Sequence, residues 1–135
     1  MAQVNTIDID VMMLCETFCA KMPAIPGYNV YGVEAIKPPK GRPYRGILTA
    51  VRSSLSVTVL ECNQNVLHIK IPEQDASFIN CYFPPNTTLV DMYEQLLSAL
   101  SDQNTGSTVF IAGDFNCRLD SGDRGRDVQE ELESV

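Results

Sequence analysis

Short apolar stretches separated by turn-forming residues recur along most of this chain. Each stretch has the length of a β-strand, is rich in branched or aromatic side chains, and ends near glycine, proline, asparagine or a charged residue. This pattern predicts a series of short strands. The predicted strands are Asp10–Cys15, Tyr28–Ile36, Gly46–Val51, Leu55–Cys62, Val66–Ile71, Ser77–Phe83 and Val109–Ala112.

One segment has helical spacing instead. Thr88 and Asp91 resemble a capping box with aspartate in the acidic position. A helix is therefore predicted from Leu89 to about Asp102. The sequence also predicts that a second helix begins at Val128. The apolar residues that recur at helical intervals in the first helix are Leu89, Met92, Tyr93, Leu96, Leu97 and Leu100.

The last predicted strand ends in residues that can carry chemistry. Gly113 suits a tight turn, and Asp114 and Asn116 follow it two positions apart. In an extended segment these two side chains point the same way, and Phe115 points the other way, toward a core. A carboxylate beside an amide can bind a metal ion, a water molecule and a phosphate group. The alternative is that these residues only open a turn, which aspartate and asparagine also favour.

Two other predicted strands end near polar side chains. Glu16 directly follows the first strand, and Tyr82 lies near the end of the sixth. Glu16 is either exposed in a turn or used to bind a ligand at the strand end. Tyr82 either fills the core or contacts a phosphate. His68, the only histidine, lies inside a strand on the face it shares with Lys70. We interpret it as a polar strand position and not as a catalytic base.

Charge is unevenly distributed along the chain. The net charge is −7, which argues against a general nucleic-acid binder. Yet Lys37, Lys40, Arg42 and Arg45 place four of the ten basic residues within one short proline-containing loop. Such a loop is either a solvated connector or a source of contacts to a phosphate backbone.

Length and cysteine content limit the class of protein. A chain of 135 residues forms one domain with a real core. It has no apolar run of membrane-spanning length, and its polar N-terminus does not resemble a signal peptide. Five cysteines, an odd number without a Cys-x-x-Cys pair, favour a reducing intracellular setting, nuclear or cytoplasmic. We therefore expect neither secretion nor a membrane partner.

The motifs occur in an order that resembles the endonuclease/exonuclease/phosphatase superfamily. This superfamily includes apurinic DNA-repair nucleases, DNase I-like enzymes and the endonuclease domains of non-LTR retrotransposons. The resemblance spans roughly Ile9 to Leu119. The matching motifs are Leu14-Cys15-Glu16-Thr17, Gly46-Ile47-Leu48, Asn80-Cys81-Tyr82-Phe83-Pro84-Pro85 and Gly113-Asp114-Phe115-Asn116.

The resemblance implies a fold and a reaction. The fold would be an α/β sandwich of two mainly antiparallel sheets flanked by helices, and the reaction Mg²⁺-dependent or Mn²⁺-dependent hydrolysis of DNA phosphodiesters. Glu16 would bind the metal, and Asp114 would orient and deprotonate the attacking water. Asn116 would hydrogen-bond the phosphate or fix Asp114, and Tyr82 would donate its hydroxyl to a phosphate oxygen. A retrotransposon or apurinic-type branch is the nearest match.

The sequence also departs from the family pattern. The family's opening strand with its asparagine, and its closing Ser-Asp-His-like element, have no counterpart between Met1 and Val135. We therefore expect residues 1–135 to form a single, truncated domain that binds a metal but hydrolyses DNA poorly. Two alternatives stay open. One is a catalytically inactive fragment or interaction module, and the other is a phosphoesterase acting on small phosphoesters such as phosphoinositides.

Overall fold

The computed structural model describes residues 8–116, which fold into seven strands, one α-helix and a short 3₁₀ turn at Pro72–Gln74. The predicted helix at Val128 lies outside the described residues. In chain order the main elements are β1 (Val11–Cys15), β2 (Tyr28–Val33), β3 (Ile47–Arg52), β4 (Thr58–Cys62), β5 (Val66–Ile71), β6 (Ala76–Tyr82), α1 (Leu89–Leu100) and β7 (Thr108–Asp114).

The strands form two sheets. The first has the order β1-β3-β2 and the second the order β4-β5-β6-β7. Every pairing is antiparallel except that of β6 with β7, which α1 connects as a crossover. The prediction of an α/β sandwich with two mainly antiparallel sheets is therefore confirmed.

The core has two layers because side chains alternate along the strands of the second sheet. On β5, Leu67, Ile69 and Ile71 are completely buried and face the first sheet. Val66 faces the opposite way, where it packs with Met92 and other apolar residues of α1. Burying one such aliphatic side chain contributes roughly 1.5–3 kcal/mol. The core between the sheets fixes their spacing, which in turn sets the geometry at the rim.

The helix begins where the sequence predicts. The Thr88 side chain accepts a hydrogen bond from the Asp91 backbone N–H at 3.1 Å, as expected of an N-cap. The turn between β4 and β5 is closed by the Asn63 side chain, which accepts hydrogen bonds from the backbone N–H groups of Asn65 and Val66. No helix among residues 8–116 is long and apolar enough to cross a membrane.

Several strand boundaries were predicted wrongly. The last strand continues through Gly113 to Asp114, where a tight turn was expected. The two largest errors are three residues each. The second strand was expected to reach Ile36, but β2 ends at Val33 and Ile36 instead forms an isolated bridge with Tyr44. The fourth strand was expected from Leu55, but β4 begins at Thr58 because Leu55 closes a turn by donating to the Arg52 carbonyl. In both cases an apolar side chain extends the local sequence pattern beyond the residues that pair in the sheet.

Candidate active site

Three strand ends meet at one rim of the sandwich. Tyr82 at the end of β6 pairs in register with Asp114 at the end of β7, because those two strands are parallel. Glu16 follows β1 in the other sheet, and the Tyr82 hydroxyl donates to its Oε1 at 3.0 Å. Residues from both sheets therefore share one hydrogen-bonded site.

The last residue of β7 and the two residues after it carry a carboxylate and an amide at a bend in the chain. The Asn116 backbone N–H donates to Asp114 Oδ1 at 2.9 Å, and the Asn116 side chain donates to the Phe83 carbonyl at 2.6 Å. Phe115 points inward and stacks on Phe83 with ring centroids 5.8 Å apart. The predicted inward position of Phe115 is therefore confirmed. The turn interpretation of Asp114 also holds, and it coexists with a position at the rim.

Gly113 allows β7 to approach β6 closely at this end. It has a φ of 148°, and a Cβ built there would lie 1.9 Å from the Cys81 carbonyl oxygen. That neighbour is backbone and has no room to move away. A glycine is therefore needed to bring Asp114 beside Tyr82.

Glu16 adopts a backbone conformation that is uncommon for a residue with a side chain. Its φ is 49°, in the left-handed region. The residues that follow are fixed by backbone hydrogen bonds of 3.1 Å, from Thr17 to the Gly46 carbonyl and from Phe18 to the Arg45 carbonyl. This pairing holds an exposed carboxylate at the rim. Strain of this kind is often found at functional sites.

One cation of the basic loop reaches the rim. The guanidinium carbon of Arg45 lies 5.4 Å from the centroid of the Tyr82 ring. The same guanidinium donates to the Gln64 carbonyl at 2.9 Å and to the Asn65 side chain. The turn between β4 and β5 thus holds a positive charge against the tyrosine.

The other three loop cations lie apart from these contacts. Lys37, Lys40 and Arg42 are exposed, and none forms an ion pair with another residue in the range 8–116. The structure therefore brings together Glu16, Tyr82, Asp114, Asn116 and Arg45, and leaves these three side chains in solvent.

Tyr82 remains a hydrogen-bond donor at neutral pH. Burial raises the pKa of its hydroxyl, and the hydrogen bond to Glu16 and the nearby carboxylate charges raise it further. A hydrogen bond with Asn116 acts in the opposite direction without reversing the shift. A protonated phenol suits donation to an anionic oxygen.

Asn80 is a site-supporting residue that the sequence analysis did not identify. It is completely buried between the sheets, and its amide donates to the Leu14 carbonyl at 3.1 Å and the Leu48 carbonyl at 2.9 Å. The Cys15 thiol, whose pKa is raised by burial, donates to its Oδ1 at 3.1 Å. Asn80 thereby anchors the end of β1 next to Glu16. The available signal was an asparagine inside an apolar strand, which must find buried partners.

The rim offers few ligands for a metal ion. Residues 8–116 contain no cluster of three or more histidine, cysteine, aspartate or glutamate side chains that could hold one. The two carboxylates at the rim are Glu16 and Asp114, and both act electrostatically on the Tyr82 hydroxyl. Mg²⁺ is commonly bound through one or two carboxylates with water and substrate phosphate completing its coordination. The donor set therefore fits a water-rich Mg²⁺ site.

Comparison with known proteins supports the fold. No protein-family model and no curated protein matches the chain. A solved structure, the endonuclease domain of TRAS1, a telomere-specific non-LTR retrotransposon, is similar with a TM-score of 0.68 and 16% sequence identity. The chain has the DNase I-like fold. The match covers 98% of this chain and 62% of the TRAS1 chain.

The DNase I-like fold agrees with the fold that the sequence analysis expected. In this fold the motif residues Glu16, Tyr82, Asp114 and Asn116 come from three strand ends and lie at one rim. This placement allows a side-chain carboxylate to act as a base or as a metal ligand.

Proposed function

We propose that this chain carries the metal-binding and phosphate-binding part of a DNA endonuclease site that hydrolyses phosphodiesters with Mg²⁺ or Mn²⁺. The observation that carries the proposal is the hydrogen bond between Tyr82 and Glu16. It joins the two sheets at the point where Asp114 and Asn116 also lie. The likeness to a retrotransposon endonuclease domain supports a nuclease over other phosphoesterases.

Glu16 would hold the metal, since it is exposed and keeps one oxygen beyond the bond to Tyr82. A bound divalent ion supplies charge that polarises a phosphoryl oxygen. Tyr82 donates a hydrogen bond to a non-bridging phosphate oxygen when substrate enters, and exchanges Glu16 for that oxygen. Arg45 adds positive charge behind the phenol ring. These groups would stabilise the charge that develops on the phosphate.

Asp114 would orient the attacking water and accept its proton. Its Oδ1 already accepts the backbone N–H of Asn116, which leaves Oδ2 for the water. The Asn116 side chain is bonded to the Phe83 carbonyl and fixes this turn. Asn116 would thus position Asp114, which is one of the two roles considered for it.

A catalytically silent DNA-binding module is the second candidate. One observation favours it: the chain has a single histidine, His68, and that residue is buried in β5 away from the rim. The described site therefore contains no imidazole to share the stabilisation of charge. Loss of one preorganised donor costs on the order of 10²–10³ in rate in a well-studied protease. We expect slow nicking or none from this chain.

The test measures metal binding by the 135-residue chain. Calorimetric titration with Mn²⁺ should give weak binding that is lost in Glu16→Gln. A matched control is Glu94→Gln, which removes the same charge from the exposed face of α1 and should leave Mn²⁺ binding intact. Equal Mn²⁺ affinity in the wild type and Glu16→Gln would overturn the proposal.

A plasmid assay separates the two candidates. Nicking of supercoiled DNA by the wild-type chain that disappears in Asp114→Asn would establish an active nuclease. Metal binding through Glu16 without nicking would establish the silent module.

A further inference from the structure

Two exposed aromatic side chains flank an open depression beside the rim. The depression is lined by Phe18, Arg42, Pro43 and Tyr44, and these four residues are called the aromatic shelf. Phe18 is 55% exposed and Tyr44 is 47% exposed, although both are large rings that could be buried in a core. Exposed apolar surface rimmed by charge often marks a binding site.

Backbone hydrogen bonds hold the main chain at both aromatic residues. Phe18 has a φ of 57°, in the left-handed region, and its N–H donates to the Arg45 carbonyl at 3.1 Å. Tyr44 exchanges two backbone hydrogen bonds with Ile36, of 2.8 and 3.0 Å. The shelf is therefore built by pairing between segments distant in sequence. The main chain is therefore held in place at the two positions where the rings are exposed.

The residues of the aromatic shelf are close in sequence to residues of the rim. Phe18 follows Glu16 by two residues, which span at most about 7 Å of chain. Tyr44 directly precedes Arg45, whose guanidinium lies over the Tyr82 ring. A ligand whose phosphate sits at Tyr82 would therefore reach the shelf with the group next to that phosphate.

The charge around the shelf selects the class of ligand. Arg42 lines the shelf itself, and Lys37 and Lys40 are exposed on the same loop of a chain with net charge −7. Cations interleaved with exposed aromatic rings suit a ligand that carries both phosphates and flat faces. Single-stranded nucleic acid has both, because its bases stack on aromatic side chains and its backbone binds basic residues.

We propose that Phe18 and Tyr44 stack on an unpaired base adjoining the phosphate bound at the rim. This inference rests on the proposed function and adds the form of DNA that the site prefers. A base inside a duplex is already stacked between its neighbours, so the shelf engages a base only where the duplex is open or mismatched. The shelf therefore selects DNA with unpaired nucleotides next to the cleaved bond.

The first experiment compares two fluorescein-labelled strands of equal length by anisotropy with the 135-residue chain. One is oligothymidylate, and the other is an abasic strand with the same phosphates and no bases. Phe18→Ala and Tyr44→Ala should each weaken oligothymidylate binding about tenfold, the typical effect of losing one stacking ring. Affinity for the abasic strand should not change.

Two kinds of control accompany these variants. Phe18→Tyr and Tyr44→Phe keep the rings and should restore oligothymidylate binding. Phe110→Ala removes a ring that is 49% exposed on β7, away from the shelf, and should bind oligothymidylate like the wild type. Together they separate stacking from general loss of apolar surface.

A direct spectroscopic readout is available because the chain contains no tryptophan. Phe18→Trp places a single reporter in the shelf. Its fluorescence should be quenched by oligothymidylate and unaffected by the abasic strand or by inorganic phosphate.

Three results would overturn the inference. One is an equal loss of affinity for both strands in the alanine variants, and another is oligothymidylate binding without quenching. The third is self-association of the wild-type chain that Phe18→Ala abolishes, which would make the shelf a protein contact. Failure of the proposed function is measured separately. It would appear as Mn²⁺ binding that does not depend on Glu16, a measurement in which the shelf takes no part.

Discussion

His68 shows how one buried side chain makes stability depend on pH. It is completely buried in β5, and neither ring nitrogen has a hydrogen-bond partner among residues 8–116. Burial lowers the pKa of the imidazole, and the negative charge of Asp102 opposes this shift only in part. The folded protein therefore holds the neutral form, whereas the unfolded chain takes up a proton near its ordinary pKa of about 6.5.

We predict that this histidine destabilises the fold in mild acid. The unfolded state binds this proton more readily than the folded state does. The free energy of unfolding is therefore undiminished above the pKa of the imidazole in the unfolded chain, and it falls as the pH drops below that pKa. One proton contributes at most about 1.4 kcal/mol per pH unit. Urea unfolding of the wild type and His68→Leu from neutral pH into mild acid measures the difference. Parallel pH profiles for the two proteins would contradict the prediction.

The residues of the site were predictable from the sequence to different degrees. Glu16, Tyr82 and Asp114 follow apolar strands, so the pattern placed them at strand ends and the motif order placed them together. The bonds of Asn80 were not predictable, because its partners are carbonyls of the other sheet. Arg45 was visible only as one of four loop cations. Its place over Tyr82 depends on a turn some twenty residues away.

At the scale of the secondary-structure element, β7 depends on one glycine for its close approach to β6. At Gly113 the strand approaches β6 so closely that a Cβ would collide with the Cys81 carbonyl. Gly113→Ala should therefore cost about 3 kcal/mol, a large value for one methyl group. It should also weaken Mn²⁺ binding, because the end of β7 must shift and move Asp114 away from Tyr82.

Gly27 offers a control for the conformational part of this cost. It also has a positive φ, of 84°, but nothing lies within 4 Å of the Cβ position. Gly27→Ala should cost about 1 kcal/mol and leave Mn²⁺ binding unchanged. Chemical denaturation and calorimetry of both variants make the comparison. Equal losses of stability would show that crowding at Gly113 is unimportant.

The existence of each element was easier to predict than its ends. Strands and helix followed from local periodicity, which each segment carries by itself. The end of β2 is decided by the bridge between Ile36 and Tyr44, which depends on a loop folding back. The parallel pairing of β6 and β7 likewise depends on the crossover through α1. Such long-range pairings leave little trace in a local pattern.

At the scale of the whole molecule, charge is unevenly distributed. The chain is acidic overall, yet the loop before β3 carries its exposed cations together. We predict that replacing Lys37, Lys40 and Arg42 by alanine weakens binding of single-stranded DNA and flattens its salt dependence. Each lost phosphate contact lowers the slope of log affinity against log salt by about 0.7.

The control for this prediction is Lys21→Ala, which removes an exposed cation from another loop. It should leave the salt slope as in the wild type. Anisotropy titrations at several salt concentrations measure both proteins. An unchanged slope in the triple variant would make the loop a solvated connector. Arg45 is kept in these variants because it also holds the turn between β4 and β5.

The hydrogen bond between Tyr82 and Glu16 has a consequence for folding as well as for chemistry. Its donor belongs to one sheet and its acceptor directly follows a strand of the other, so neither sheet alone contains the proposed binding site. A ligand bound by both side chains would link the two sheets and would stabilise only the folded state in which the sheets are packed together. The affinity for such a ligand would therefore depend on how closely the two sheets pack against each other. A core substitution far from Glu16 should therefore change the affinity for a ligand at the rim.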